Sequence, residues 1–175
     1  MTHIVVLNHK VHGLQATDYA ETLQQRLPDH EITLASTETE KHTQIADADI
    51  ATGYTITPEL IETAENLTTF MCTFAGTDHL PTDFMEDHGV QVESASGVHG
   101  PNVAEQVLGY ILTFVRRLDK GWRQEQRNEW NHYQAGELMG STATIVGLGP
   151  IGETIAERLH GFDVTTIGVR YTPSK

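Results

Sequence analysis

The run Gly147-Leu148-Gly149-Pro150-Ile151-Gly152 has residue types and a spacing suited to holding a phosphate chain. It directly follows the β-branched stretch Thr144-Ile145-Val146. It directly precedes a helical pattern with Ile151, Ile155, Ala156 and Leu159 on one side. The GxGxxG pattern has a mechanism only between a strand and a helix. Gly147 permits a tight turn, Gly149 lets the backbone approach a pyrophosphate, and Gly152 lets helix and strand pack closely. Amides of the helix N-terminus then face the phosphates. The second strand of such a unit ends on the residue that selects the nucleotide. An Asp or Glu there, about 20 residues on, bonds the ribose 2′-hydroxyl of NAD. This sequence has Arg170 there, in Gly168-Val169-Arg170-Tyr171-Thr172-Pro173-Ser174-Lys175. A guanidinium suits a 2′-phosphate, with Tyr171 and Thr172 beside it and Ser174 or Lys175 in support. The expected cofactor is therefore NADP (NADPH) rather than NAD.

Other reactive side chains carry less. The single cysteine, Cys72, lies in the apolar run Phe70-Met71-Cys72-Thr73-Phe74 and reads as a buried thiol without an activating neighbour. His9 and His12 are two residues apart with no helical context, and no metal site is expected there.

The elements that position the glycine loop follow from short β-branched runs alternating with helical patterns. Strands are predicted at Ile4–Leu7, Glu31–Ala35, Ile50–Thr52, Leu67–Thr73 and Val90–Glu93. Asp18 with Glu21 reads as a capping box for a helix bearing Ala20, Leu23 and Leu27. A helix fills Glu38–Ala46. Thr57-Pro58 starts another as N-cap and first helical residue, and a short one spans Thr82–Asp87 before Gly89. Five strands with intervening helices imply a parallel, flavodoxin-like sheet, α/β in class, covering residues 1–101. The small-residue stretch Ala95–Pro101 reads as a linker and as the domain boundary. A helix from Asn102 to about Leu118 follows. Its broad apolar face of Val103, Val107, Tyr110, Ile111, Phe114 and Leu118, widened by Leu108 and Leu112, suggests burial between domains or subunits and favours a homodimer. A polar stretch with Trp122 and Trp130 leads to the βαβ unit: Ala143–Val146, the glycine loop, a helix ending at Gly161 as C′, and Val164–Val169. Residues 102–175 thus read as an interdomain helix and the start of a Rossmann domain.

The net charge of −13, from 24 acids and 11 bases, argues against nucleic-acid or anionic-membrane partners. The acids are dispersed rather than clustered, which fits a protein of a high-salt cytoplasm, where screening reduces self-repulsion. No apolar run reaches the roughly 18 residues of a membrane helix, and the start does not read as a signal peptide. A cytoplasmic location is the expectation.

Four segments together resemble the D-2-hydroxyacid dehydrogenase family. Ala75-Gly76-Thr77-Asp78-His79-Leu80-Pro81 is similar to its substrate loop, and Val103-Ala104-Glu105 to the start of its interdomain helix. Glu137-Leu138-Met139-Gly140-Ser141-Thr142 is similar to its lead into the cofactor domain, and Gly147–Gly152 to its fingerprint. The resemblance implies two α/β domains with an active site in the cleft between them. It implies reversible reduction of a 2-keto acid to a D-2-hydroxy acid by NAD(P)H. Backbone amides at Ala75, Gly76 and Thr77 would hold the substrate carboxylate, and Tyr54 matches a second loop that approaches the substrate. Both segments follow strand ends, where open α/β sheets bind ligands, and a glycine at 76 lets N–H groups converge on an anion.

The family's arginine, glutamate and acid–base histidine lie well beyond its fingerprint, and no position of this sequence matches them. No catalytic residue is assigned. The chain is expected to be the N-terminal portion of an enzyme nearly twice as long, because a Rossmann half needs further strands beside the βαβ pair. A non-catalytic, corepressor-like NADP-binding module of the same fold is the alternative expectation.

Overall fold

A computed structural model describes residues 1–9 and 13–171. Internal contacts group the chain into Met1–Ser96 and Gly97–Lys175. The Gly97–Pro101 part of the predicted linker thus groups with the second unit rather than the first.

In the first unit β1 (His3–Leu7), β2 (Glu31–Ala35), β3 (Ile50–Gly53), β4 (Thr69–Cys72) and β5 (Gln91–Ser94) alternate with four helices. These are α1 (Ala16–Arg26), α2 (Glu38–Ile45), α3 (Pro58–Thr63) and α4 (Thr82–Asp87). Every pairing is parallel, in the order β2-β1-β3-β4-β5, which is the flavodoxin-like order. A parallel sheet is covered on both faces, so its central strands are apolar throughout: Ile4, Val5, Val6 and Leu7 of β1 are all buried. The register sets Val5 opposite Ala51 and Ala51 opposite Phe70, and all three are fully buried. Ile45, Ile56 and Met85 close the helix-covered core around them.

Thr57 caps α3, its side chain accepting from the Leu60 amide, with Pro58 in the first turn. The predicted capping box at Asp18 and Glu21 does not form. α1 starts two residues before Asp18, with Gln15 as an N-cap that makes no side-chain bond. Asp18 falls inside the first turn, where its charge opposes the positive helix end instead. The reciprocal box belongs to α2: Glu40 N–H donates to Thr37 Oγ1 (3.2 Å) and Thr37 N–H to Glu40 Oε2 (3.0 Å). The Ser36 and Thr37 amides hold the Glu40 carboxyl below the usual carboxylate range.

The second unit contains α5 (Gly100–Arg116), α6 (Leu118–Gln126), β6 (Thr142–Val146), α7 (Pro150–His160) and β7 (Thr165–Val169). α5 begins two residues earlier than predicted and ends at Arg117, whose φ of 52° breaks the helix. Beyond the break, the stretch read as merely polar is helical. An Asp119–Arg123 ion pair at 3.2 Å, one turn apart, supports it, and no apolar repeat betrays it. α5 crosses α7 through small residues. A Cβ on Gly100 would lie 2.7 Å from Thr154 Oγ1, Ala104 is fully buried, and Glu105 pairs with Arg158 at 3.6 Å. Leu108, Ile111, Leu112 and Val115 pack on Leu138, Leu159 and Val164. Of the rest of the broad face, Tyr110, Phe114 and Leu118 are exposed, and Val103 and Val107 are half-buried. Gly161, read as C′, is the C-cap of α7 with φ −65°, and the positive φ after the helix falls at Asp163. Among the described residues no helix is long and apolar enough to cross a membrane.

Candidate functional site

β6 and β7 pair in parallel from Thr142↔Thr165 to Val146↔Val169, and the loop 147–149 leads from β6 into α7. The three glycines differ in why they must be glycine. Gly147 has φ +96°, which side chains rarely adopt. A Cβ on Gly149 would meet nothing within 4 Å, so this stretch of backbone faces open space. A Cβ on Gly152 would lie 2.2 Å from the Gly147 carbonyl oxygen, so α7 can lie this close to the loop only without a side chain. Gly149 is the N-cap of α7 and makes no side-chain cap, so no side chain of its own covers the first-turn amides. An open backbone at the positive end of an eleven-residue helix fits a pyrophosphate. The residues present therefore fit a dinucleotide: Gly147, Leu148 and Gly149 in the loop, and Pro150, Ile151 and Gly152 in the first turn.

Arg170 stands at the end of β7, three-quarters buried. Its Nε donates to the Leu148 carbonyl (2.9 Å), and its Nη2 contacts both that carbonyl and the Glu153 carboxylate. The guanidinium thus braces the glycine loop and at the same time meets an acid on α7. Tyr171 is fully exposed. Thr172, Ser174 and Lys175 lie outside the described residues, as does His12. Two participants were not anticipated from sequence. Glu153 is one. Gly168 is the other: a Cβ there would lie 2.0 Å from Leu148 Cδ1, so the Leu148 side chain lies over β7 only because that position is bare. A glycine inside a strand is the available signal for such close approach.

In the first unit, Tyr54 directly follows β3 and Ala75-Gly76-Thr77 follow β4. Ala75 and Gly76 are exposed, and a Cβ on Gly76 would meet nothing within 4 Å. Tyr54 is half-buried and its ring is held by others: His9 at 4.8 Å and His79 at 4.2 Å stack on it, and Phe74 meets it edge-on at 4.8 Å. His79 Nε2 lies 2.7 Å from the Tyr54 carbonyl. From sequence, His9 is considered only as a metal ligand, Phe74 only as part of the apolar run around Cys72, and His79 only through its place in the loop motif; their meeting around Tyr54 is not anticipated there. Cys72 is buried, as expected for a core thiol. A wide concavity of about 710 Å³ lies elsewhere, lined by Gln124, Glu125, Asn128, Trp130 and Tyr133 among others. Its walls are the end of α6 and the chain after it, with Trp130 fully exposed, and it shares no residue with the glycine loop.

A flavodoxin-like unit followed by a strand–glycine loop–helix–strand unit defines a dinucleotide-binding α/β protein. Residues 108–175 match the family model described as the NAD binding domain of D-isomer specific 2-hydroxyacid dehydrogenase. The chain is 29% identical over 143 residues to D-3-phosphoglycerate dehydrogenase of Methanocaldococcus jannaschii, covering 79% of this chain and 27% of that one. It is 37% identical over 115 residues to glyoxylate reductase of Thermofilum pendens, covering 62% and 34%. Among solved structures, NAD-dependent formate dehydrogenase from Staphylococcus aureus in complex with NAD superposes with a TM-score of 0.63 at 28% identity, over 95% of this chain and 56% of that one. Through residues 108–175 the chain matches the NAD binding domain of the D-isomer specific 2-hydroxyacid dehydrogenase family, and over most of its length it is similar to the enzymes just named. It spans about a quarter to a third of the two curated enzymes and about half of the solved chain.

Proposed function

We propose that this chain carries substrate- and cofactor-binding elements of an oxidoreductase that reversibly reduces a 2-keto acid to a D-2-hydroxy acid, with NADPH as hydride donor. The observation that carries the reading is the glycine loop: open at Gly149, closed against α7 at Gly152, and set at the helix N-terminus. The dinucleotide, when bound, supplies the hydride to the keto carbon, and the carbonyl oxygen takes a proton. The chain's own residues bind and orient. Loop and first-turn N–H groups within 147–152, Pro150 excepted, receive the pyrophosphate, and Arg170, with Tyr171 and Thr172, receives the 2′-phosphate. The backbone of Ala75, Gly76 and Thr77 receives the substrate carboxylate, and Tyr54 approaches the rest of the substrate. The acid–base role is assigned to no residue of this chain. The relatives' names favour small 2-hydroxy and 2-keto acids as the substrate class.

Titration of the chain with NADPH and NADH, followed by nicotinamide fluorescence, tests the reading. NADPH is expected to bind at least about tenfold more tightly. Arg170→Ser is expected to weaken NADPH by about ten- to a hundredfold, the worth of one charge-assisted bond of about 1.5–3 kcal/mol. Equal binding of both nucleotides refutes the role of Arg170, and binding of neither refutes the nucleotide site. The same reading includes a cytoplasmic enzyme of a salt-rich cell and a homodimer formed through Tyr110 and Phe114, which are 67% and 85% exposed one turn apart on α5. Sedimentation should give a dimer that Phe114→Glu converts to a monomer. The melting temperature should rise from low to molar salt as the charge of −13 is screened.

A further inference from the structure

In the strand order of the first sheet the chain passes from β1 to β2 on one side, then returns to β3 on the other. The carboxyl ends of β1 and β3 are therefore the switch point, where open α/β sheets take ligands. Gly53 brings the two ends together, since a Cβ there would lie 3.1 Å from Leu7 Cβ. His9 follows β1 by two residues and Tyr54 follows β3 directly; their rings stack at 4.8 Å and 22°. His79, from the loop after β4, stacks on the same tyrosine at 4.2 Å and 12°. Its Nε2 lies 2.7 Å from the Tyr54 carbonyl. A carbonyl oxygen only accepts, so Nε2 must carry the proton. The Cys72 thiol adds weak contacts to the Tyr54 carbonyl (3.7 Å) and the Gly76 carbonyl (3.9 Å). One hydrogen bond and a ring stack thus join the loop of Tyr54 to the loop of Ala75, Gly76 and Thr77.

We propose that His79 is a positioning residue for a carboxylate-bearing ligand, with His9 as a second brace on Tyr54, so that both loops are presented to the ligand already ordered. The proposal rests on the reading of Ala75–Thr77 as the carboxylate cradle. Exposed loops that order only on binding lose affinity to that ordering, and bracing them beforehand recovers it. Neither histidine touches the reacting atoms in this account. His79 acts through the Tyr54 carbonyl and ring, and His9 through the ring alone.

The test uses the full chain and pyruvate as the probe, with binding read from the backbone amide shifts of Ala75, Gly76 and Thr77. His79→Phe keeps a ring for the stack and loses the donor; His79→Gln keeps an N–H donor and loses the ring; His79→Ala loses both. His79→Phe and His79→Ala should each weaken pyruvate by up to about tenfold, the upper range for one hydrogen bond, whereas His79→Gln should stay within about threefold. NADPH binding should be unchanged in all three. Nitrogen-15 long-range spectra of the wild type should show the neutral His79 ring protonated on Nε2. The amide spectrum of the core around Phe70 and Met85 verifies that each variant is folded. If the wild type binds pyruvate through these amides and all three folded variants bind it equally, the positioning role is overturned. An Nδ1-protonated ring overturns it as well. If pyruvate does not shift the 75–77 amides of the wild type, the cradle reading fails first and the positioning role falls with it, and the two failures are told apart by that wild-type titration.

Discussion

Replacing Glu153 by Gln should make the protein bind NADPH more tightly and leave NADH unchanged. Arg170 is the residue read as the receiver of the 2′-phosphate, and its Nη2 contacts the Glu153 carboxylate. An incoming phosphate must share that guanidinium with an anion already on it. The acid is 60% exposed and the arginine 25%, so solvent screens the pair and a high effective dielectric applies. A carboxylate about 6 Å from a dianionic phosphate costs about 0.7 kcal/mol with salt screening and about 1.4 kcal/mol without it. That corresponds to about three- to tenfold tighter NADPH binding in Glu153→Gln. Glu153→Gln is a cleaner probe than any change at Arg170, because Arg170 Nε also donates to the Leu148 carbonyl at 2.9 Å and its loss disturbs the loop itself. Fluorescence titrations of both nucleotides at low and at physiological salt read the effect, and the gain should shrink as salt rises. If Glu153→Gln strengthens both nucleotides equally, the carboxylate acts on the pyrophosphate rather than on the 2′-phosphate. If it weakens NADPH, Glu153 is a support for Arg170 and the competition argument is wrong.

The two glycine sites should respond in opposite ways. Gly76→Val should fold normally, since a Cβ there meets nothing within 4 Å, yet weaken 2-keto acids at least tenfold with NADPH binding unchanged; an unaltered affinity would count against the loop. Gly152→Ala should cost stability, about 1–3 kcal/mol by overpacking, and weaken both nucleotides, because its Cβ would overlap the Gly147 carbonyl; a denaturant midpoint equal to wild type would contradict the close approach. The lowered Glu40 carboxyl makes the start of α2 acid-sensitive. Because the folded form holds the proton less tightly, its contribution is present above the ordinary carboxylate range and lost as pH falls through the lowered value. Protection of the Ser36 and Thr37 amides, taken relative to the intrinsic exchange rate at each pH, should fall on acidification in the wild type, and Glu40→Gln should remove that dependence.

Some of this protein was legible residue by residue, because the responsible forces are local. β2 and α4 occupy the ranges their patterns predicted, Glu31–Ala35 and Thr82–Asp87. Thr57-Pro58 starts α3 because capping and a fixed proline φ need only adjacent residues. The glycine loop was recognisable because a positive φ at Gly147 and a bare Gly152 are demands on single positions between one strand and one helix. Where two local signals competed, sequence alone misjudged them. Asp18 and Thr37 both precede a glutamate three residues on, and only the start of the helix decides which pair can reciprocate. α6 was missed because it carries no apolar repeat; the Asp119–Arg123 pair one turn apart is the feature that fits a helix there.

What the tertiary structure decided are the meetings of residues far apart in the chain. His9, Tyr54 and His79 come together because parallel pairing sets the ends of β1, β3 and β4 side by side, and no periodicity within any one segment encodes that. The direction of Arg170 was settled in the same way. Its position at the end of β7 was readable by counting, but whether its guanidinium faces solvent, Leu148 or Glu153 depends on how closely α7 returns to the loop. That closeness depends on the missing side chains of Gly152 and Gly168. Residue type and spacing determine which chemistry is available; the packing distance between elements determines which of those groups are brought within a bond's length of one another.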